Sequence, residues 1–249
     1  MTTRHYISNN VSEKLACIEQ RTDSKSPDKQ PVVILCHGFA YFKEEDGIFV
    51  EMANILSKLG YVVFYFDFSG CGESEGDYKE TSLTKLIDDL RSVVDFVKNL
   101  DYCDEDNISF IGQSFGTNVI IGSQFTDAKR IVLCGSFDQP KKILSDLFPQ
   151  FDEKGTSVRR RSDGHITKIN PQFWKDLKQY NMKDLVKSFE CPVLYVHGGI
   201  DTIVPIEYML DLYQNTKNTT DPLILELSDH GLNPQRDLLY SEIKSYFRS

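Results

Sequence analysis

The chain has 249 residues, of which 40% are hydrophobic and 12% are aromatic. This length and composition suit a globular core that needs no disulfide or metal staples, and they exclude a chain that is mainly disordered. The 28 basic and 37 acidic residues give a formal net charge of −9, and an acidic surface of this kind disfavours nucleic acid as a partner.

The signals of membrane insertion and export are missing from the sequence. The longest unbroken apolar run is Tyr61–Phe66, far short of the ~20 residues that a membrane-spanning helix needs. The first residues lack the apolar stretch of a signal peptide, so we expect no membrane span and a cytoplasmic protein.

Two groups of reactive or charged residues are interpreted as structural. The six cysteines form no C-x-x-C pair, which argues against zinc-ribbon and thioredoxin-type sites, so we expect reduced core residues. The basic run Arg159–Arg161 is too short to reverse the acidic field. It is interpreted as a solvated hairpin rather than an anion site.

The apolar pattern predicts strands and helices that alternate along most of the chain. Two strand-like pieces, His5–Ser8 and Leu15–Gln20, precede a polar loop over Arg21–Gln30. The elements predicted after this loop are strand Val32–Cys36, helix Ile48–Leu59, strand Tyr61–Phe66, helix Leu83–Leu100, strand Ile108–Ile111, helix Thr117–Phe125, strands Ile131–Cys134 and Val193–Val196, helix Pro205–Tyr213, strand Leu223–Leu227 and helix Asp237–Phe247.

This alternation predicts an α/β fold with a mostly parallel sheet, helices on both faces and an antiparallel edge at the N-terminus. We expect one domain over residues 1–249. About 58 residues separate Ile131–Cys134 from Val193–Val196, too many for one crossover helix. We interpret Phe137 to about Tyr180 as an inserted cap with a hairpin at Ser157–Lys168. The alternative is an extra helix pair without a role at the site.

The pattern G-x-S-x-G occurs twice, at Gly72–Gly76 and at Gly112–Gly116. The second occurrence follows a buried strand and precedes an apolar helix, as a strained strand-to-helix turn that exposes a serine hydroxyl requires. The first occurrence is followed by polar residues and places two glutamates beside Ser74, where they would repel a developing oxyanion. We therefore predict that Ser114 is the nucleophile and that the loop containing Ser74 is structural.

A serine hydroxyl needs a base, and the base needs an orienting carboxylate. His230 lies in a loop after the last predicted strand, at the same carboxyl edge of the sheet as Ser114. Asp201 follows strand Val193–Val196 and reaches that edge too. We predict His230 as the base and Asp201 as its carboxylate. Asp138 is the alternative acid, and a helix cap is the alternative role for Asp201.

The substrate carbonyl oxygen needs two donors as negative charge develops on it. The backbone N–H of Phe115 directly follows the nucleophile, and the N–H of Phe39 lies just past strand Val32–Cys36. We expect these two groups to form an oxyanion hole. His37 is interpreted as a structural histidine.

These motifs together resemble the α/β-hydrolase superfamily over nearly the whole chain. The residues that carry the resemblance are His37–Phe39, Asp67–Ser74, the turn at Ser114, Asp201 with Val204–Pro205, and Asp229–Gly231, in the family's order of nucleophile, acid and histidine. Within the superfamily, the chain resembles small bacterial serine esterases that include cinnamoyl (feruloyl) esterases, and prolyl-oligopeptidase-like hydrolases. The resemblance implies a compact cap and the hydrolysis of carboxylic esters through an acyl-enzyme.

We therefore expect a serine esterase that needs no metal or organic cofactor and acts on a small-molecule ester. A pocket wall of aromatic side chains would favour an apolar or aromatic acyl group, and the candidates are Phe39, Phe115, Phe137, Phe148 and Trp174. The same acyl-enzyme would serve an acyl-thioesterase or an acyltransferase, and the sequence leaves these open. A peptidase and a non-catalytic binding protein are less favoured. The antiparallel edge or an aromatic cap would each suit a homodimer.

Overall fold

The computed structural model describes residues 1–22, 28–161 and 164–248. Residues 23–27 of the predicted loop and residues 162–163 of the predicted hairpin therefore lie outside the described residues. Within these ranges the strands are Thr2–Ser8 (β1), Lys14–Gln20 (β2), Gln30–Cys36 (β3), Val62–Phe66 (β4), Cys103–Gln113 (β5), Ile131–Cys134 (β6), Ser157–Arg160 (β7), Ile166–Ile169 (β8), Val193–Gly198 (β9) and Leu223–Leu225 (β10).

Eight of the described strands form one sheet in the order β1-β2-β4-β3-β5-β6-β9-β10. The β1–β2 and β2–β4 pairs are antiparallel, and the other pairs are parallel. The mostly parallel sheet is confirmed, and the two N-terminal strands form the antiparallel edge. Because Cys36 pairs with Gly112 and Gln113 pairs with Cys134, β3, β5 and β6 end side by side. The loops that follow these strands consequently meet at one edge.

Helices cover both faces of the sheet. The described α-helices are Ile48–Lys58 (α1), Leu83–Lys98 (α2), Phe115–Ser123 (α3), Pro140–Asp146 (α4), Pro171–Asp176 (α5), Met182–Leu185 (α6), Ile206–Asn215 (α7) and Arg236–Tyr246 (α8). The apolar sides of α1 and α8 are buried in one core cluster, and those of α2, α3 and α7 are buried in another. No helix in the described ranges is long and apolar enough to cross a membrane.

Several element boundaries near the carboxyl edge differ from the sequence-based expectation. Helix α3 begins at Phe115, two residues earlier than predicted, because the chain turns directly from β5 into the helix at Ser114. Strand β10 ends at Leu225 rather than at Leu227, since the N–H of Ser228 donates to the carbonyl of Leu225 and the chain turns there. Strands β5 and β9 end at Gln113 and Gly198, each two residues later than predicted.

The segment between β6 and β9 contains α4, the antiparallel β7–β8 hairpin, α5 and α6. Its aromatic residues Phe173 and Trp174 are fully buried, and the indole N–H of Trp174 donates to Ser157 Oγ at 3.0 Å. The first strand of the hairpin is therefore joined to α5 by a buried hydrogen bond.

Candidate active site

Ser114 lies on the turn between β5 and α3 with φ 52° and ψ −122°, a backbone conformation that non-glycine residues rarely adopt. Both neighbouring glycines are required by close approach. A β-carbon on Gly112 would lie 2.8 Å from the N of Thr117, and one on Gly116 would collide with the carbonyl of Cys36. The turn therefore packs tightly beneath the serine and projects its hydroxyl from the edge of the sheet.

The structure brings Ser114, His230 and Asp201 together. Nε2 of His230 lies 2.9 Å from Oγ of Ser114, and Nδ1 of His230 lies 2.7 Å from Oδ2 of Asp201. Because an ionised carboxylate can only accept, Nδ1 carries the proton and Nε2 is left as an acceptor for the serine hydroxyl. The predicted site residues thus have the geometry of a nucleophile, a base and an orienting acid.

The carboxyl group of Asp201 accepts three hydrogen bonds at a site where its side chain is only 1% exposed. Its Oδ1 accepts the N–H groups of Ile203 at 2.8 Å and Val204 at 2.9 Å. Burial raises the pKa of Asp201, but the hydrogen bonds from His230 and from these backbone groups outweigh it and hold the pKa below its usual value. Asp201 is therefore ionised at neutral pH and keeps His230 in one orientation.

Gln113, the last residue of β5, holds the loop that carries His230. Its Nε2 donates to the carbonyl of His230 at 2.8 Å. On the next strand, a β-carbon on Gly135 would lie 3.1 Å from Cε1 of His230, so the glycine leaves room for the imidazole ring. These two supporting residues had no assigned function in the sequence analysis, because their effect depends on contacts between distant loops.

The predicted oxyanion donors lie beside the nucleophile: Phe39 lines the same cavity as Ser114, and Phe115 directly follows Ser114 in the chain. Within the described part of the chain, neither Phe39 nor Phe115 donates its N–H to another protein group. Their neighbours are occupied: the N–H of Gly38 donates to Glu45 Oε2 at 2.7 Å, and the N–H of Ala40 donates to the Tyr78 hydroxyl at 2.9 Å. The two N–H groups that the sequence analysis selected are thus available to a substrate oxygen.

His37 joins two strand ends and is not available as a base. The N–H of Phe68 donates to its Nε2 at 3.0 Å, so the proton is on Nδ1, which donates to the carbonyl of Gly38 at 2.8 Å. Burial lowers the pKa of His37 to about 4, which keeps the ring neutral. This arrangement is the one expected of a structural histidine.

Ser74, in the other G-x-S-x-G sequence, has a hydroxyl that is fully engaged. Its Oγ donates to the carbonyl of Asp67 at 2.6 Å and accepts the N–H of Ala16 at 2.8 Å. The hydroxyl joins the loop after β4 to β2, and within the described residues no histidine hydrogen-bonds to it.

A cavity of about 390 Å³ opens beside Ser114 and His230. Part of its wall is apolar and comes from Phe39, Ile203 and three residues of the segment between β6 and β9, which are Ile143, Leu144 and Leu147. The polar part includes Tyr41, Glu45, Asp46, Arg159, Arg161, Thr202 and Asp229. A larger cavity of about 680 Å³ lies beside α4 and Lys183, and it contains none of the three residues of the serine site.

The predicted aromatic wall requires correction. Only Phe39 of the five aromatic candidates lines the cavity; Phe115, Phe137, Phe148 and Trp174 are almost completely buried. They pack on other rings instead, as Trp174 does on Phe148 with ring centroids 5.5 Å apart. Large apolar rings gain most from full burial, so shorter aliphatic residues are left to form the cavity surface.

The basic run Arg159–Arg161 lies at a hairpin, as predicted, but two of its side chains belong to the cavity wall. Arg159 and Arg161 line the cavity, while Arg160 between them is exposed. The guanidinium of Arg161 lies 4.6 Å from the ring centroid of Tyr41, close enough for a cation–π interaction. Alternation along the hairpin strand, which a count of charges does not reveal, turns two of the three arginines toward the site.

A mostly parallel sheet with helices on both faces, carrying a serine, a histidine and an aspartate at its carboxyl edge, defines an α/β hydrolase. The family model described as serine aminopeptidase, S33, matches residues 27–154. The chain belongs to this family of hydrolases, and the resemblance to the α/β-hydrolase superfamily is confirmed.

Several characterised proteins are similar to this chain. Palmitoyl-protein thioesterase ABHD10 of Homo sapiens is 23% identical over 226 residues, which cover 86% of this chain and 71% of that protein. Lysophosphatidylserine lipase ABHD12 of Bos taurus is 29% identical over 198 residues, covering 74% and 44% respectively. The structure of Est1E from Butyrivibrio proteoclasticus with bound ferulic acid has a TM-score of 0.84 at 23% identity, covering 98% of this chain and 97% of that one. This structural likeness reflects the fold.

Proposed function

We propose that this hydrolase cleaves carboxylic esters through an acyl-enzyme on Ser114. The observation that carries the proposal is the continuous hydrogen-bonded series from Ser114 Oγ through His230 to Asp201, with distances of 2.9 and 2.7 Å. A serine in this arrangement can lose its proton to the imidazole as it attacks a carbonyl carbon.

In the first half of the reaction, Ser114 Oγ attacks the ester carbonyl and Nε2 of His230 takes the hydroxyl proton. The N–H groups of Phe39 and Phe115 stabilise the oxyanion of the tetrahedral intermediate. The carbon–oxygen bond to the alcohol then breaks, and His230 gives its proton to the departing alcohol. Asp201 remains ionised throughout and stabilises the imidazolium.

In the second half, water replaces the alcohol. His230 takes a proton from the water as it attacks the acyl carbon, and the second oxyanion uses the same two N–H groups. Ser114 leaves with the proton from His230, which releases the carboxylic acid. Every proton that His230 accepts is returned, so no metal or organic cofactor enters the cycle.

The acyl group is proposed to be apolar. Ile143, Leu144 and Leu147 form an apolar wall near the serine, and a cavity of about 390 Å³ can hold a medium-sized acyl chain. The likeness to Est1E, whose structure contains ferulic acid, adds aromatic acyl groups to the substrates that merit testing. The same wall supports our proposal that residues 137 to about 180 form a cap on a single domain that spans residues 1–249.

Thioester hydrolysis is the second candidate function, since a palmitoyl-protein thioesterase is among the similar proteins. A thioester gives the same acyl-enzyme and differs only in its leaving group. Acyl transfer to an acceptor other than water would also begin from this intermediate. Peptide hydrolysis ranks below these because an amine leaves less readily than an alcohol or a thiol.

The test is a hydrolysis panel of p-nitrophenyl esters from acetate to laurate, a cinnamoyl ester, an acyl-thioester and an aminoacyl p-nitroanilide. Wild type, Ser114→Ala and Ser74→Ala are compared, because both serines lie in the same sequence pattern. We expect ester turnover that falls roughly 10⁴-fold or more in Ser114→Ala and persists in Ser74→Ala. Preferential turnover of the thioester or the anilide would replace the ester proposal, and full activity of Ser114→Ala would refute the mechanism.

A further inference from the structure

Glu45 reaches the serine site through a backbone turn whose φ angles are unfavourable for non-glycine residues. The loop after β3 contains three successive residues with positive φ: Glu45 at 44°, Asp46 at 51° and Gly47 at 83°. The two that are not glycine adopt a conformation that side chains disfavour, and such strain persists only where surrounding contacts fix it. Arg236 donates to the carbonyl of Asp46 at 2.8 Å, and the carboxyl group of Glu45 accepts the N–H of Gly38 at 2.7 Å.

That carboxyl group lies next to the nucleophile. Oε2 of Glu45 accepts the N–H of Gly38 at 2.7 Å, and Glu45 lines the cavity that contains Ser114. A β-carbon built on Gly38 would lie 3.3 Å from the β-carbon of Ser114 and 3.5 Å from Oε1 of Glu45. The serine and the carboxyl group therefore both lie where a side chain at position 38 would project, and the Ser114 β-carbon and Glu45 Oε1 are at most 6.8 Å apart.

Gly38 is held at both of its polar groups. Glu45 accepts its N–H, and Nδ1 of His37 donates to its carbonyl at 2.8 Å. A trans peptide is planar, and its C=O and N–H point in opposite directions. Fixing the carbonyl of Gly38 therefore fixes the direction of the next N–H, which belongs to Phe39, and fixing the Gly38 N–H prevents the preceding peptide from rotating.

We propose that Glu45 is a positioning residue. It holds the peptide between His37 and Gly38, His37 holds the peptide between Gly38 and Phe39, and together they fix Gly38 so that the Phe39 N–H faces the developing oxyanion. The inference rests on the proposed function, in which Phe39 is one of the two oxyanion donors. Glu45 touches neither the scissile bond nor the transferred proton, and it acts through the backbone of Gly38.

The ionisation of Glu45 adds a pH dependence to this role. Burial raises its pKa to about 8; the Gly38 N–H and the charges of Arg236 and Arg161 act in the opposite direction, and Asp46 adds to the increase. The thiol of Cys134 on β6 is another titratable neighbour, and it stays protonated because burial raises its pKa. Tyr41, Asp229 and His230 line the same cavity as Glu45. With its pKa at about 8, the carboxyl group of Glu45 is uncharged at neutral pH.

A neutral carboxyl group can accept the Gly38 N–H without repelling an oxyanion. Above about pH 8, Glu45 ionises and places a negative charge beside the position where the oxyanion forms. Transition-state stabilisation then falls although the hydrogen bond to Gly38 remains. Glutamine keeps an oxygen acceptor and cannot ionise, whereas alanine removes the acceptor altogether.

The test compares Glu45→Gln, Glu45→Ala and the matched control Glu44→Gln in ester hydrolysis from pH 6 to pH 10. Glu44 is the neighbouring glutamate, and its side chain is 48% exposed. We expect Glu45→Ala to lower kcat roughly 10- to 100-fold at pH 7 with little change in KM. Glu45→Gln should retain kcat within about threefold of wild type at pH 7 and lose the alkaline fall that wild type and Glu44→Gln show.

Two results would overturn the positioning role: an unchanged kcat in Glu45→Ala, or an alkaline fall that persists in Glu45→Gln. If Glu45→Ala fails to fold, the pH profiles of wild type and Glu45→Gln still decide. Failure of the proposed function has a different signature, since ester turnover would then be absent in wild type or retained in Ser114→Ala.

Discussion

Oδ2 of Asp201 lies 2.7 Å from Nδ1 of His230, and this contact fixes the imidazole in the form whose Nε2 can accept a proton. In Asp201→Asn, an amide N–H would face Nδ1 and move the ring proton to Nε2, where it blocks the serine. We expect kcat to fall by about 10⁴-fold, to be measured with the best ester of the panel.

The control for that substitution is Asp229→Asn. Asp229 lines the same cavity and accepts the N–H of Asn233 at 3.0 Å, but it does not contact the imidazole nitrogens. It should keep kcat near the wild-type value. Equal losses in the two variants would show that general charge at the site matters, rather than the orientation of His230.

Ser74 is expected to support stability rather than activity. Ser74→Ala removes the hydroxyl that joins Asp67 to Ala16 and leaves two backbone groups without that partner. The free energy of unfolding should fall by about 1–3 kcal/mol in urea denaturation, with kcat unchanged. A loss of turnover in a folded Ser74→Ala protein would contradict the assignment of Ser114 as nucleophile.

Lys43 compensates a buried carboxylate. Its Nζ lies 2.8 Å from Oδ2 of Asp67 and 2.7 Å from Oε2 of Glu73, and the Asp67 side chain is 0% exposed. Lys43→Met removes the cation from the buried Asp67 carboxyl group, which keeps the backbone N–H groups of residues 43 and 73 as partners. We therefore expect a loss of about 3–5 kcal/mol in the free energy of unfolding. Lys217→Met, which breaks the exposed pair with Glu190, should cost at most about 1 kcal/mol. Equal losses of unfolding free energy in Lys43→Met and Lys217→Met would show that burial does not make the Asp67 pair more costly to break.

Glu45 should also make folding stability depend on pH. The pKa of Glu45 is about 8 in the folded protein, whereas its ordinary value is 4.5. Between these two pH values the folded state therefore binds one more proton than the unfolded state. Stability contributed by the protonated form is therefore lost as pH rises through this window. Urea denaturation at pH 5, 6.5 and 8 should show a smaller decrease in the free energy of unfolding for Glu45→Gln than for wild type or Glu44→Gln. Equal decreases in the free energy of unfolding of all three proteins would show that Glu45 does not cause this pH dependence.

Leu147 is expected to limit the size of the acyl group. It lines the cavity just after α4, so Leu147→Ala should enlarge the space beside Ser114. The ratio of kcat/KM for long and short acyl esters should rise by roughly 10-fold. Leu185→Ala alters a partly buried leucine that does not line this cavity, and its ratio should match that of wild type. A shift of the same size in both variants would indicate general loosening.

Local patterns in the sequence were sufficient for the fold and for the position of the serine site. The apolar strands and amphipathic helices predicted the mostly parallel sheet, because each element carries its own periodicity. The neighbourhoods of Ser114, Asp201 and His230 were predicted because parallel strands end at one edge, so that loops far apart in the chain meet there. The G-x-S-x-G sequence around Ser74 could be set aside from its polar surroundings alone.

The cavity wall could not be predicted in the same way. Whether an apolar side chain lines the cavity or is fully buried depends on the packing of the segment between β6 and β9. Composition alone therefore could not show that Leu147 lines the cavity and that Trp174 does not. Glu45 stands in an acidic run that is typical of a surface loop. Its position beside Gly38 depends on three successive residues with positive φ, and no simple sequence pattern predicts that conformation.

Three residues of the apolar wall, Ile143, Leu144 and Leu147, lie on one short continuous stretch, whereas Ser114, Asp201 and His230 come from three loops held by the central sheet. Under the proposed function, the residues that select the acyl group and those that break the bond are consequently encoded in different parts of the gene. A single exchange of that stretch between related genes could alter substrate choice while the reacting atoms keep their positions. Such an arrangement allows specificity to diverge quickly among descendants that all retain the same chemistry.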